Sequence, residues 1–290
     1  MVITEGNSII GAFTGGRSVT EIYTYGEKVW PESKPVPGEY YIKWWPKDLS
    51  GSFIIGGEAR WLQDYSGYYS GPFLETTLIV SNSVIHLKTL DSSAFMSTGV
   101  TGIETNLEHF GSNAFTYCSS LLYVRASKLF WMDHGVFAVC PNLYYVSVPE
   151  LYSTKGAAFK GCSRLGTIDL PNINILYTAA FDNCTNLYEV SAPKCKMLGP
   201  DFEVFYKCYN LKSLELPNLS RIDDSALQNN GLNTLVLASN SVVSLGGDFS
   251  GTGITSRTGS IYVPLSLVSE YKSASVWSYY SKIIYPIPHE

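Results

Sequence analysis

The six cysteines carry the widest chemical reach in this sequence of 290 residues. A thiolate can attack an electrophile, ligate a metal or close a disulfide. The spacing argues for none of these. Cys118, Cys140, Cys162 and Cys184 stand 22 residues apart, and Cys208 follows after 24. Metal sites need clustered Cys and His, and disulfide frameworks belong to short secreted chains. Equal spacing instead puts one side chain on successive turns of a repeating structure, and free cysteine is a small, readily buried residue. A buried ladder of unpaired thiols is expected, and it fits a reducing place of synthesis. Thr98 and Asn230 take the same slot in outer turns, while Cys195 stands outside it.

The remaining reactive types form no constellation. His86, His109, His134 and His289 share no repeat position. Asp169 and Glu215 fall on strand segments as solvent-facing residues, the arrangement of a wetted face rather than an acid–base pair. Asp223-Asp224 lacks the alternating oxygen ligands of a calcium loop. Gly15-Gly16 and Gly246-Gly247 have no following lysine and no strand-to-helix context for a phosphate. No nucleophile, base and orienting group come together. A protein with no catalytic residue, no metal ligand and no cofactor is expected.

The elements that position the cysteines follow from the same period. Phe115, Phe137, Phe159, Phe181 and Phe205 each lie three residues before a cysteine. Leu121, Leu143, Leu165, Leu187 and Leu211 lie three after it, and Val124, Val146, Ile168, Val190 and Leu214 three further on. The stretch from each leucine to the next proline alternates apolar and polar residues, which predicts a short strand with one buried face. The Ala-Phe-x-x-Cys segment is too short for a full helix and predicts one tight helical turn with Phe and Cys inward. Phe95, Leu227 and Phe249 open shorter copies, so about eight turns are expected over residues 83–263. Stacked, these make a solenoid with a parallel sheet on one side and Phe-Cys turns on the other.

The unit Ala-Phe-x-x-Cys-x-x-Leu-x-x-Val-x-Leu-Pro resembles the BspA-like leucine-rich repeat, most closely at residues 114–126, 158–171 and 180–193. The resemblance implies an α/β-type solenoid of short parallel strands and short helical turns. It also implies the roles common among such proteins: surface adhesion and binding in bacteria and microbial parasites, or service in the viruses of bacteria. Fold-level analogy of this kind does not choose among them.

The ends differ from the middle. Residues 2–9, 12–19 and 22–29 form a second repeat of period 10, with Gly6, Gly16 and Gly26 between apolar pairs. This predicts a small all-β meander over residues 1–30, too small to hold a core alone and suited to anchoring on another chain. It resembles short N-terminal modules of bacteriophage virion proteins. Residues 31–38 hold three prolines and read as a stiff linker. Residues 39–82, rich in aromatics including Trp44, Trp45 and Trp61, stand where an N-terminal cap belongs, and residues 264–290 read as a C-terminal cap of short helices and a closing strand.

Composition narrows the partners. The net charge is −5, with 16% charged residues, so no nucleic-acid partner is expected. No apolar run is long enough to span a membrane, and the start lacks the basic and apolar regions of a signal peptide. Between the buried strand positions lie Tyr123 and Arg125, Tyr145 and Ser147, Thr167 and Asp169, Glu189 and Ser191, and Ser213 and Glu215. Stacked, they form the expected partner-binding concave face, grading from aromatic and basic to acidic. The expected role is a virion component of a bacteriophage (fibre, tail or capsid-associated). It would be a homo-oligomer or part of a larger assembly, attached to other virion proteins through residues 1–30, with the solenoid binding a host-surface protein or glycan. The alternative is a bacterial cell-surface adhesin for a host protein or glycan.

Overall fold

Each repeat closes one turn of a solenoid, and each turn gives a strand to two separate parallel sheets. The computed structural model describes residues 89–288, apart from 91, 94, 98, 200–202 and 257, and before them the backbone of seven strands. The main sheet runs Gly51–Ile55, Thr76–Val80, Val100–Thr105, Tyr123–Ala126, Tyr145–Ser147, Thr167–Asp169 and Glu189–Ser191, every neighbour parallel. Ser213–Glu215, Thr234–Val236, Ser260–Val263 and Ile284–Pro286 form a second parallel ladder in the same succession. The two ladders lie alongside each other without a shared pair among the described residues. The break falls in the turn that carries two extra residues, between Phe181 and Phe205.

Register is the repeat made physical. Tyr123 pairs with Tyr145 and Val124 with Val146, residues 22 apart in sequence. Val124, Val146, Ile168, Val190, Leu214, Leu235 and Ile261 point inward and are buried. A strand alternates faces, so their immediate neighbours point out.

The Phe and Cys slots line the opposite wall of the core. The rings of Phe95, Phe115, Phe137, Phe159, Phe181 and Phe205 stack in one column with centroids 5.4–5.7 Å apart. Each Phe-to-Cys segment makes the expected tight turn, with the amide of Cys162 donating to the carbonyl of Phe159 at 3.1 Å. Left-handed residues flank that turn, as at Asn113 and Tyr117 or Gly135 and Val139. They stop it from continuing as a helix and aim alternate amides at the next turn. Phe115 N–H, for example, donates to Val136 O and Tyr117 N–H to Ala138 O.

A third side was not anticipated. Thr89–Leu90, His109–Phe110, Trp131–Met132, Ser153–Thr154, Ile175–Leu176, Met197–Leu198, Arg221–Ile222 and Ser244–Leu245 form an eight-stranded parallel sheet of two-residue strands. It is built on a buried column of aliphatic residues joined by one thiol, Leu107, Leu129, Leu151, Ile173, Cys195 and Leu219. Cys195 is thus outside the thiol ladder, as expected, yet inside a slot of its own.

At the N-terminus, Val2–Glu5, Ser8–Thr14 and Arg17–Val19 pair antiparallel, as do Ile22–Thr24 and Glu27–Trp30. The pairs Glu5 with Ser8, Thr14 with Arg17 and Thr24 with Glu27 close the hairpins, spaced 9 and then 10 residues apart. Gly6, Gly16 and Gly26, the linker at 31–38, and Trp44, Trp45 and Trp61 lie outside the described residues. Because Gly51–Ile55 and Thr76–Val80 pair into the main sheet, that sheet runs on past residue 83 towards the N-terminus.

The C-terminal end closes the stack. After Ser260–Val263 come a 3-10 turn at Leu265–Leu267, a short helix at Val268–Ser273 and a 3-10 helix at Trp277–Ile283. Trp277 donates its indole N–H to Val243 O at 2.7 Å, and the hydroxyl of Tyr271 accepts the amide of Val243 at 2.9 Å. Rings of Trp277 and Tyr280 meet Phe249 where another phenylalanine would otherwise stack.

Candidate functional site

The ten residues of the expected partner face occupy the outward side of the strands. Tyr123 lies beside Tyr145, Arg125 beside Ser147, Ser147 beside Asp169, Thr167 beside Glu189, and Asp169 beside Ser191. Ser213 and Glu215 stand beyond the break in the ladder, paired with Thr234 and Val236. The face is therefore two stretches rather than one uninterrupted ladder.

Its basic end is already occupied. Arg125 binds Glu104 of the preceding strand at 2.7 Å, and its guanidinium lies over the rings of Tyr123 and Tyr145, 5.1 and 5.7 Å from their centroids. The Tyr123 ring covers Gly102, where any Cβ would strike it. This arrangement presents a flat, rigid aromatic–guanidinium surface instead of a free cation. Tyr144 and Tyr188, one residue before their strands, add exposed rings at the margin.

The thiols are held as thiols. Cys118, Cys140, Cys162, Cys184 and Cys208 are buried, and each donates S–H to the phenylalanine carbonyl of the preceding turn, at 3.0–3.1 Å. Burial pushes Cys162 and Cys208 up to about 12 and Cys195 to about 11. Burial raises Cys140 and Cys184 well above the ordinary thiol value. A thiol that keeps its proton is neither a nucleophile nor a metal ligand.

One polar cluster lies on the third side. Asp133 receives Lys155 at 2.7 Å, His109 at 3.3 Å and the Trp131 indole N–H at 3.3 Å. Burial opposes its ionisation, but the hydrogen bonds from Lys155 and Trp131 outweigh it and hold the carboxyl below its ordinary value. No three His, Cys, Asp or Glu side chains converge on a metal-sized space among the described residues. No helix among them is long and apolar enough to cross a membrane.

The edge between the main sheet and the two-residue strands holds a cleft that the repeat motif did not signal. It has a volume of about 360 Å³, and Tyr152, Asn172, Asn174, Lys194, Lys196 and Asn218 line it. These side chains sit in variable positions between buried ones, so periodicity marks where they are without marking what they do.

The BspA type leucine-rich repeat pattern matches residues 73–154 and 132–250, more than half of the chain. The chain belongs to the BspA-type leucine-rich repeat family. Several solved structures are similar to it, among them two leucine-rich repeat proteins and a vaccine antigen. A leucine-rich repeat protein from Bacteroides ovatus is 20% identical, with a TM-score of 0.46, over 64% of this chain and 63% of that one. The chain thus spans less than two thirds of that protein's length. A leucine-rich repeat protein of T. pallidum is 18% identical, with a TM-score of 0.37, over 55% and 83%. The pneumococcal vaccine antigen PcpA is 14% identical, with a TM-score of 0.31, over 83% and 88%. No curated protein matches the chain.

Proposed function

We propose that this BspA-type protein is a non-enzymatic recognition scaffold whose outward sheet face binds a macromolecular partner. The observation that carries the reading is the surface made by Tyr123, Arg125 and Tyr145. Rigid aromatic rings and an arginine fixed by stacking give contact area at small conformational cost, the chemistry enriched at binding hot spots. The acidic stretch at Asp169, Glu189 and Glu215 continues that face and sets polarity for a partner lying along it.

In this reading the protein is a bacteriophage virion component, with residues 1–30 attaching it to other virion proteins and the solenoid turned to the host surface. The antiparallel hairpins of that segment, which are small for an independent fold, support an anchoring role. The other reading is an adhesin on a bacterial surface, supported by the same sheet face. Mass spectrometry of purified virions separates the two, since the chain should be present in particles. Replacing Tyr123 and Tyr145 by serine should leave the protein folded and weaken attachment to host cells at least tenfold. Unchanged attachment by the folded double variant would overturn the sheet-face assignment.

A further inference from the structure

The cleft on the edge between the sheets lies away from that face and has its own chemistry. Phe130 and Tyr152 occupy the same slot on adjacent turns. Their rings stack at 5.3 Å and 3°, and both are about half exposed, at 51% and 43%. Burial does not explain such a pair, because aromatic rings in the core of this solenoid are covered almost completely. Tyr152 forms one end of the cleft. An exposed, rigid ring is a platform for the apolar face of a flat ligand.

The floor is made of amides in fixed positions. The Asn172 amide donates to Pro149 O and the Asn218 amide to Pro193 O, both at 2.8 Å, so each is clamped to the preceding turn. Asn174 makes no side-chain hydrogen bond among the described residues, and its amide offers a donor and an acceptor together. That pairing suits adjacent hydroxyl groups. The next turn, between those of Asn174 and Asn218, carries Lys194 and Lys196. Lys194 is held by Asn172 Oδ1 at 2.7 Å, which leaves two of its N–H groups for a ligand.

The cleft also has a charge of its own. Arg125, Lys155, Lys160 and Arg221 each contact a carboxylate. Lys194 and Lys196 have no carboxylate partner among the described residues, and none lines the cleft. Two lysines lining one cleft with no carboxylate beside them give it a local positive charge in a protein of net charge −5, which favours an anionic ligand there. The cleft volume of about 360 Å³ suits a short stretch of sugar rings rather than a protein surface.

We propose that this edge cleft is a binding site for an acidic oligosaccharide of the uronate class, with one sugar ring on Tyr152, hydroxyls on Asn174, and carboxylates at Lys194 and Lys196. The site is independent of the sheet face. A neutral glycan would leave both ammonium groups unused. An acidic peptide would satisfy the lysines but has no flat apolar face for Tyr152.

Titration calorimetry of the full chain with tri-galacturonate, its methyl ester, inorganic sulfate and penta-aspartate tests the site. The expected result is saturable binding of the trisaccharide, at least tenfold weaker for the ester, sulfate and peptide. Tyr152→Ala and the double change Lys194→Ala with Lys196→Ala should each weaken it tenfold or more with an unchanged circular dichroism spectrum. The Tyr123→Ser, Tyr145→Ser protein should bind the trisaccharide as the unaltered chain does, which separates this site from the sheet face. No binding, equal binding of sulfate or penta-aspartate, or full affinity in both cleft variants would overturn the proposal.

Discussion

The carbonyl of Phe159 accepts two hydrogen bonds, one from the amide of Cys162 in its own turn and one from the thiol of Cys184 in the next. The carbonyls of Phe115 and Phe181 do the same. A carbonyl has two lone pairs, and in a dry core both are best used. The cysteine slot is therefore a donor slot as well as a small apolar one, and the thiol proton is part of the fold. Cys162 is expected to lose that proton near its ordinary 9.0 in the unfolded chain and at about 12 in the folded one. Its contribution is fully present below pH 9 and falls as pH rises from there towards 12, by about 1.4 kcal/mol per pH unit. Cys162→Ser keeps a donor for Phe137 O but does not titrate in this range. Urea midpoints from pH 8 upward should show a shallower alkaline loss for the variant by about that increment. Equal slopes would mean that the thiol is not held protonated.

Within one turn, the Phe-Cys segment owes its shape to paired left-handed residues. Glycine serves at Gly161 and Gly251, two residues after the Phe slot, with φ of 74° and 72°. Val139 holds that position at φ 56° although it is β-branched and exposed. A side chain there costs about 1–2 kcal/mol, because Cβ crowds the following carbonyl oxygen. Val139→Gly should raise stability by about 0.5–1 kcal/mol, the gain being trimmed by the freer unfolded chain. Chemical denaturation reads the change, and a destabilised variant would show that packing of the Val139 methyls outweighs the backbone. The strands of this element were legible because they alternate over several residues. The two-residue strands were not, since a period of two cannot be recognised in so short a stretch. Their signal lay in the spaced pairs Leu129 and Met132, Ile173 and Leu176, and Leu219 and Ile222, which read equally well as turn residues.

The core of a solenoid runs along one dimension, so each turn depends on its neighbours and the ends are the weak points. The C-terminal end is sealed by Trp277, which is buried at 2% exposure, packs on Phe249 and Tyr271, and bonds Val243 O. Trp277→Ala should cost about 3–5 kcal/mol. Hydrogen exchange should show the loss first at residues 243–263, with the stacked turns around Phe137, Phe159 and Phe181 affected later. Uniform acceleration along the chain would mean that the turns unfold as one unit and that the cap has no local role.

The sequence alone determined the repeat, the inward Phe, Cys, Leu and Val columns and the parallel strands. Each of these follows from side chains that must recur at one spacing to be buried against their like. Tertiary structure alone decided the second sheet, the break before Ser213–Glu215 and the pairing of Arg125 with Glu104. It also decided the cleft that joins Tyr152 to Asn174, Lys194 and Lys196. The Arg125–Glu104 pair and the cleft depend on which solvent-facing residues the stacking places side by side, and burial imposes no pattern on residues that face water.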